Sequence, residues 1–96
     1  MKYRIVWPQR MRDKVASWRL PDELLVDVYQ RVYELEERPA ERLARSDPAF
    51  DGMTLRFSVV DPTNRFAEYR FAFLVVYGQD EMSLHVVNCV CDVSFV

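Results

Sequence analysis

Residues 69–78, which read YRFAFLVVYG, constrain the fold more than any other part of the chain. The run is almost entirely apolar and is interrupted by one charge, Arg70. A nearly continuous apolar run of this length is typical of a central strand covered on both faces. Because burying an unpaired charge is costly, two interpretations of Arg70 stay open. It is held in an ion pair, with Glu68 on the same strand face or with a helix acid such as Glu34, or it lies in a concavity and acts there.

Three further segments have the alternating pattern of a half-buried strand. They are residues 2–7 (KYRIVW), 53–61 (MTLRFSVVD) and 82–93. In the second of these, Thr54, Arg56 and Ser58 share one face, so the pattern predicts a polar lane along that strand. Residues 78–81 have a length that suits a hairpin loop between the last two strands.

Two helices are predicted between the first strand and the others. In residues 9–19, Met11, Val15 and Trp18 recur at spacings of four and three, which indicates a short basic helix with one apolar stripe. Pro21 suits the first turn of a second helix, which runs to about residue 38 with a continuous apolar face. A short helical piece is predicted at residues 40–45.

The order of elements is therefore β-α-α-β-β-β. It predicts an α+β domain over residues 1–96, with two N-terminal helices packed on a mostly antiparallel four-stranded sheet. The first strand has no neighbouring hairpin partner, so we expect it beside one of the last three strands, at an edge.

Charge limits the functions that this domain can have. The formal net charge is −2, yet residues 1–20 carry six Lys and Arg against one acid. Proteins that bind nucleic acid usually carry a basic excess, because neutralising phosphates supplies most of the affinity. Any RNA contact is therefore expected to be local, and the basic first helix supplies Arg10, Arg12 and Lys14 as candidates. With no membrane-length apolar run and no signal peptide, we expect a soluble cytoplasmic protein without a membrane partner.

The two cysteines and the single histidine suggest no metal centre. On a regular strand His85, Cys89 and Cys91 share one face, but three ligands on one strand cannot surround a tetrahedral ion. We therefore expect no metal and no cofactor, with both cysteines acting as small buried apolar residues in a reducing compartment. His85 is a candidate general base. The alternative is that His85 is an ordinary strand residue that packs against its neighbours.

Four local patterns accompany the order of elements. They are VASW at 15–18, Glu-x-x-Pro at 36–39, Asp-Gly-Met at 51–53, and a Tyr-Arg pair at 69–70 that opens a Val-rich strand. Over most of the chain they resemble the RelE/ParE superfamily of toxins from type II toxin–antitoxin systems. The resemblance implies a RelE-like fold and a cognate antitoxin as partner.

RelE-type members of that superfamily are mRNA interferases, which cleave ribosome-bound messenger RNA without a metal, whereas ParE-type members act on DNA gyrase. In the RelE type, basic side chains on the sheet position phosphates and stabilise developing charge. The resemblance assigns this role to Arg70, with Arg56 on the neighbouring strand, and implies ribosomes and mRNA as partners. A homodimer through an edge strand is a further expectation.

The C-terminal residues 89–96 (CVCDVSFV) depart from the family pattern. RelE-type nucleases have an Arg and then a Tyr or His there, whereas this chain has Asp92, which would repel phosphate. Two functions stay open: a metal-independent endoribonuclease with weakened or lost catalytic residues, or a non-catalytic protein-binding module on the same fold. We expect weak or no cleavage. A cluster of basic side chains on the sheet face would favour the nuclease, whereas an apolar groove there would favour the binding module.

Overall fold

The computed structural model of the chain describes residues 2–39, 43–47, 50–80 and 82–95. Its elements are β1 (Arg4–Val6), α1 (Gln9–Ser17), α2 (Asp22–Tyr33), a 3-10 turn (Glu34–Glu36), β2 (Ala44–Asp47), β3 (Phe50–Val60), β4 (Ala67–Tyr77) and β5 (Ser83–Phe95). The strands form one sheet in the order β1-β5-β4-β3-β2. The predicted α+β fold, with two helices on a mostly antiparallel sheet, is confirmed.

Of the two outer strands of the sheet, β1 was predicted from the sequence and β2 was not. β1 pairs in parallel with β5, from Arg4 opposite Ser83 to Val6 opposite His85, so the predicted edge position is confirmed. β2 is an additional short strand that pairs antiparallel with β3. Residues 40–42 of the predicted helical piece at 40–45 lie outside the described residues, and the Leu43 N–H donates to the carbonyl oxygen of Pro39 at 3.0 Å, the spacing of a helical turn. The prediction is wrong at Ala44 and Arg45, which belong to β2. Isolated short helices are marginal, and pairing with β3 gives this segment the backbone hydrogen bonds it needs.

Both helices follow a proline and bury one stripe of side chains. α1 begins after Pro8 and buries Met11 and Val15. α2 begins after Pro21, with acidic residues in its first turn at the positive end of the helix dipole. α2 ends at Tyr33, earlier than predicted, but the 3-10 turn continues the rotation and buries Leu35.

The core lies between the helices and one face of the sheet. Phe73 is fully buried at its centre, and its ring lies 5.7 Å from that of Trp7 and 6.2 Å from that of Trp18. Alternate residues of the same strands point to the other side, which we call the open face. The open face consists of Thr54, Arg56, Ser58 and Val60 on β3, Glu68, Arg70, Ala72, Leu74 and Val76 on β4, and His85, Asn88, Val90, Asp92 and Ser94 on β5. β4 is thus helix-covered on one face only, and Arg70 is exposed rather than buried.

A β-bulge in β5 changes which side chains share a face. Leu74 pairs with Asn88 while Val75 pairs with Val86, so Val87 has no residue opposite it on β4. The alternation of buried residues therefore shifts by one position across the bulge. His85 faces the opposite side from Cys89 and Cys91, and the prediction that the three share a face is wrong.

Candidate functional site

The two arginines singled out in the sequence lie on adjacent strands of the open face. Ala72 pairs with Arg56, and Ser58 pairs with Arg70, so the two arginines are diagonal neighbours. Such diagonal positions are roughly 7–8 Å apart, within reach of long side chains. Both side chains are exposed. The structure therefore brings Arg56 and Arg70 together on one surface.

Arg70 makes a polar contact that the sequence did not indicate. Its guanidinium Nη2 donates to the hydroxyl oxygen of Ser94, and its residue partner on β5 is Asp92. Among the ion pairs of the described residues there is none between Arg70 and Glu68 on its own strand. Because Arg70 is exposed, its charge stays in water and needs no buried partner.

The charges on the open face are mixed. Arg56 and Arg70 lie on the same surface as two acids, Glu68 and Asp92, and Asp92 stands directly opposite Arg70. Apolar side chains separate these charges: Ala72, Leu74, Val76, Val60 and Val90. A carboxylate beside Arg70 lowers the positive potential that would attract a phosphate.

A shallow depression of about 200 Å³ lies beside Arg56 on this face. Its lining consists of Thr54, Arg56, Ala72, Leu74, Asn88, Cys89 and Val90. The hydroxyl oxygen of Thr54 lies below the surface of the depression, inaccessible to solvent, and has no hydrogen-bond partner among the described residues. The amide oxygen of Asn88 accepts from Lys14 Nζ at 2.8 Å and from the Cys89 N–H at 2.9 Å, so its amide nitrogen remains as a donor. The polar groups of the depression thus suit an acceptor such as a carboxylate or phosphate oxygen.

The three basic candidates of α1 do not act as one group. Arg10 and Lys14 are four residues apart and share a helix face, whereas Arg12 projects elsewhere. Arg10 and Arg12 are exposed on the helix, and Lys14 is half-buried. Through its bond to Asn88, Lys14 is the one of the three that the structure links to the open face.

A second polar cluster surrounds the β4–β5 hairpin. The hydroxyl of Ser83 lies 3.0 Å from Asp80 Oδ1 and 3.1 Å from His85 Nε2. The N–H of Met82 and the hydroxyl of Ser83 donate to Asp80 and hold the pKa of that carboxyl below its ordinary value. A side chain on Gly78 would collide with the Ser83 hydroxyl, so the cluster requires glycine there.

This cluster is not an acyl-transfer triad. In such a triad the imidazole lies between the carboxylate and the nucleophile, whereas here the serine lies between Asp80 and His85. Ser83 is also only 3% exposed. His85 lies seven positions from Asp92 along β5, roughly 20 Å in a strand, so it cannot be a general base for chemistry at Arg70.

The cysteines lie on the helix side of β5 and have thiols that stay protonated. Burial raises the pKa of Cys89, and burial together with the nearby Asp92 raises that of Cys91 to about 11. A thiol with a raised pKa is a poor nucleophile and metal ligand. In the described part of the chain no group of three or more His, Cys, Asp and Glu residues could hold a metal ion.

Sequence reasoning found part of this site and missed the rest. The polar lane of Thr54, Arg56 and Ser58 follows from simple alternation. Ser94 was missed because the predicted last strand ends at residue 93, and Asn88 because its pairing with Leu74 depends on the bulge. The signal available for Asn88 was a polar residue in an otherwise apolar run.

Comparisons with known proteins assign no family: no family model, no curated protein and no solved structure matches this chain. The resemblance to the RelE/ParE superfamily therefore rests on the sequence patterns and the order of elements. Within the described residues, neither α1 nor α2 has the length and hydropathy of a membrane-spanning helix.

Proposed function

We propose that the chain is a RelE-like domain of a type II toxin–antitoxin system whose open face binds an acidic segment of a partner protein. The observation that carries the proposal is the depression beside Arg56, where the Arg56 guanidinium and the Asn88 amide nitrogen are donors and most of the remaining lining is apolar. The partner implied by the family resemblance is the cognate antitoxin.

A glutamate side chain fits the chemistry of the depression. Its carboxylate would accept from Arg56 and from the amide nitrogen of Asn88, and charge-assisted bonds of this kind are the stronger ones. Its methylene groups would pack on Leu74 and Val90.

A protein partner is favoured over RNA by the rest of the open face. Phosphate recognition gains from several cations of one sign, and here Asp92 and Glu68 share the surface with Arg56 and Arg70. The exposed apolar side chains of Val60 and Val90, 53% and 54% accessible, offer contacts for a peptide rather than for a phosphate backbone.

Messenger RNA cleavage is the second candidate function, and the adjacent arginines favour it. Cleavage by the 2′-hydroxyl also needs a group that moves a proton. Around Arg70 the described polar neighbours are Ser58, Ser94 and Asp92, and the carboxylate would repel the scissile phosphate. We therefore expect weak or no cleavage.

Fluorescence anisotropy with a labelled eight-residue peptide of alternating Leu and Glu tests the binding proposal. We expect binding that weakens at least tenfold when Gln replaces Glu in the peptide, and at least fivefold in the Arg56→Gln variant. Arg65→Gln is the matched control, because Arg65 is exposed in the β3–β4 connection. Equal binding of the Glu and Gln peptides would contradict the proposal.

Primer-extension mapping of an mRNA on stalled ribosomes tests the nuclease separately. Cuts at A-site codons that disappear in Arg70→Ala would establish cleavage and give Arg70 a role in it. No cuts, at concentrations where an active RelE-type nuclease cleaves fully, would leave binding as the function of this face.

A further inference from the structure

The outer side of β5 is covered along only part of its length. β1 pairs with Ser83–His85. Past the bulge, the Cys89 N–H donates to the Asn88 side chain, to which Lys14 of α1 also donates. For residues 91–95, no strand in the described part of the chain pairs with the outer side of β5. That segment is therefore a free strand edge.

The β3–β4 hairpin determines which peptide groups this edge presents. The N–H of Asp61 donates to the carbonyl oxygen of Ala67 at 2.9 Å, so the peptide groups of Ala67 face β3. Peptide groups in an antiparallel strand alternate in direction from residue to residue, so those of Arg70 face β5. Its partner Asp92 therefore faces back to β4. The residues whose N–H and C=O groups point outward are Cys91, Val93 and Phe95.

The two edges of the sheet differ in how they are protected. β2 is only four residues long and has a register irregularity, both of which discourage pairing with another strand. Residues 91–95 contain one charged residue, Asp92, whose side chain lies on the open face, but no Lys, Pro or bulge. They carry Phe95, 75% exposed, and Val93, 37% exposed. A free edge with exposed apolar side chains is a template for another strand.

We propose that residues 91–95 pair antiparallel with the same residues of a second copy of this chain, around a two-fold axis at Val93. This register places Val93 opposite its own copy and Cys91 opposite Phe95 of the second copy. Each outward-facing residue then donates one N–H and accepts at one C=O across the axis. Phe95, the most exposed apolar side chain described, is covered on one side.

The other two-fold symmetric registers of this strand pair are less favourable energetically. An axis at Asp92 sets two carboxylates directly opposite each other, which is destabilising. An axis at Cys91 requires the N–H of Cys89, which is already bonded to Asn88 beneath Lys14. An axis at Ser94 pairs Val93 with Phe95 of the second copy but leaves the outward-facing groups of Cys91 without a partner among the described residues.

Charge complementarity also favours the Val93 register and a second copy as the occupant. Asp92 falls opposite Ser94 of the second copy. Ser94 accepts a hydrogen bond from Arg70, so its own hydroxyl hydrogen is free to donate to Asp92 of the second copy. By symmetry the link from Arg70 through Ser94 to the opposing carboxylate forms twice. Since the axis is perpendicular to the sheet, the two open faces become one continuous surface.

Sedimentation velocity over a concentration series tests the assembly. Because the interface is short, we expect a reversible dimer whose fraction rises between roughly 5 µM and 1 mM. Val93→Arg should raise the dissociation constant at least tenfold. Val26→Arg is the matched control, since Val26 is a 56% exposed valine on α2, away from the edge and from the open face, and it should leave the dimer unchanged.

A cysteine cross-link tests the register. Opposed residues that exchange backbone hydrogen bonds have Cα atoms about 5.5 Å apart, which suits a disulfide. Val93→Cys in a Cys91→Ala background should give a covalent dimer on mild oxidation, and Val26→Cys in the same background should not.

A monomer at every concentration, or a dimer that Val93→Arg leaves intact, would overturn the proposal. If residues 91–95 pair only with a strand from a different protein, the assignment of this edge to a second copy of the chain is overturned. Circular dichroism of Val93→Arg shows whether loss of the dimer reflects unfolding; if it does, the Val93→Cys cross-link decides. These variants leave Arg56 and its depression intact, so their outcome is separate from that of peptide binding.

Discussion

The two faces of the same three strands are built in opposite ways. On the helix side, Phe71, Phe73 and Val75 of β4 are buried against the helices. On the open face, one residue away along the same strand, Arg70 is exposed and Ala72 is half-buried. The side chains on one face of a strand can therefore stabilise the fold while those on its other face are available for recognition, because successive side chains alternate across a sheet.

The largest expected effect lies at the centre of the helix side. Phe73→Ala should lower the free energy of unfolding by about 3–5 kcal/mol, the usual cost of removing a buried aromatic ring, because its ring contacts Trp7, Trp18 and Phe57. Urea denaturation measures the change. If Arg70→Ala on the same strand cost as much, the division between the two faces would be wrong.

Gly78→Ala should have the next largest effect, lowering the free energy of unfolding by about 1–3 kcal/mol. The added methyl group collides with the Ser83 hydroxyl at the β4–β5 hairpin. A double-mutant cycle with Ser83→Ala checks the cause, since removing that oxygen should recover part of the loss. Strictly additive costs would rule out this collision as the reason.

Asp80 should give the hairpin a pH-dependent contribution to stability. Bonds from Met82 and Ser83 hold the folded-state pKa of Asp80 below its ordinary value of 3.8. The contribution is therefore present above the unfolded-state pKa and is lost as the pH falls through the folded-state pKa. Denaturation of the wild type and Asp80→Asn from pH 7 to pH 2 should show the two stabilities converging at low pH. A constant difference would contradict the assignment.

The smallest stability effect is expected on the open face. Arg56→Gln and Arg70→Gln should each change the free energy of unfolding by less than about 0.5 kcal/mol, as exposed substitutions usually do. Thermal denaturation measures this alongside binding of the Glu peptide, which Arg56→Gln should weaken. Loss of stability together with loss of binding would mean that the open face also supports the fold.

The sequence by itself determined the order of the elements other than β2, and most of the core. Prolines at 8 and 21 precede the helices, and the buried stripes of Met11 and Val15 and of Leu24, Val28 and Val32 follow from helical periodicity. It also placed Thr54, Arg56 and Ser58 on one strand face. These features are local, because alternation and helix spacing depend only on neighbours along the chain.

Only the tertiary structure decided the composition of the candidate site and of the free edge. The unpaired Val87 shifts the alternation of β5, which separates His85 from the cysteines and brings Asn88 to the depression beside Arg56. The contact of Arg70 with Ser94 likewise depends on how β5 aligns with β4. Register between strands is set by contacts between residues far apart in sequence, and a single extra residue moves every later side chain to the other face.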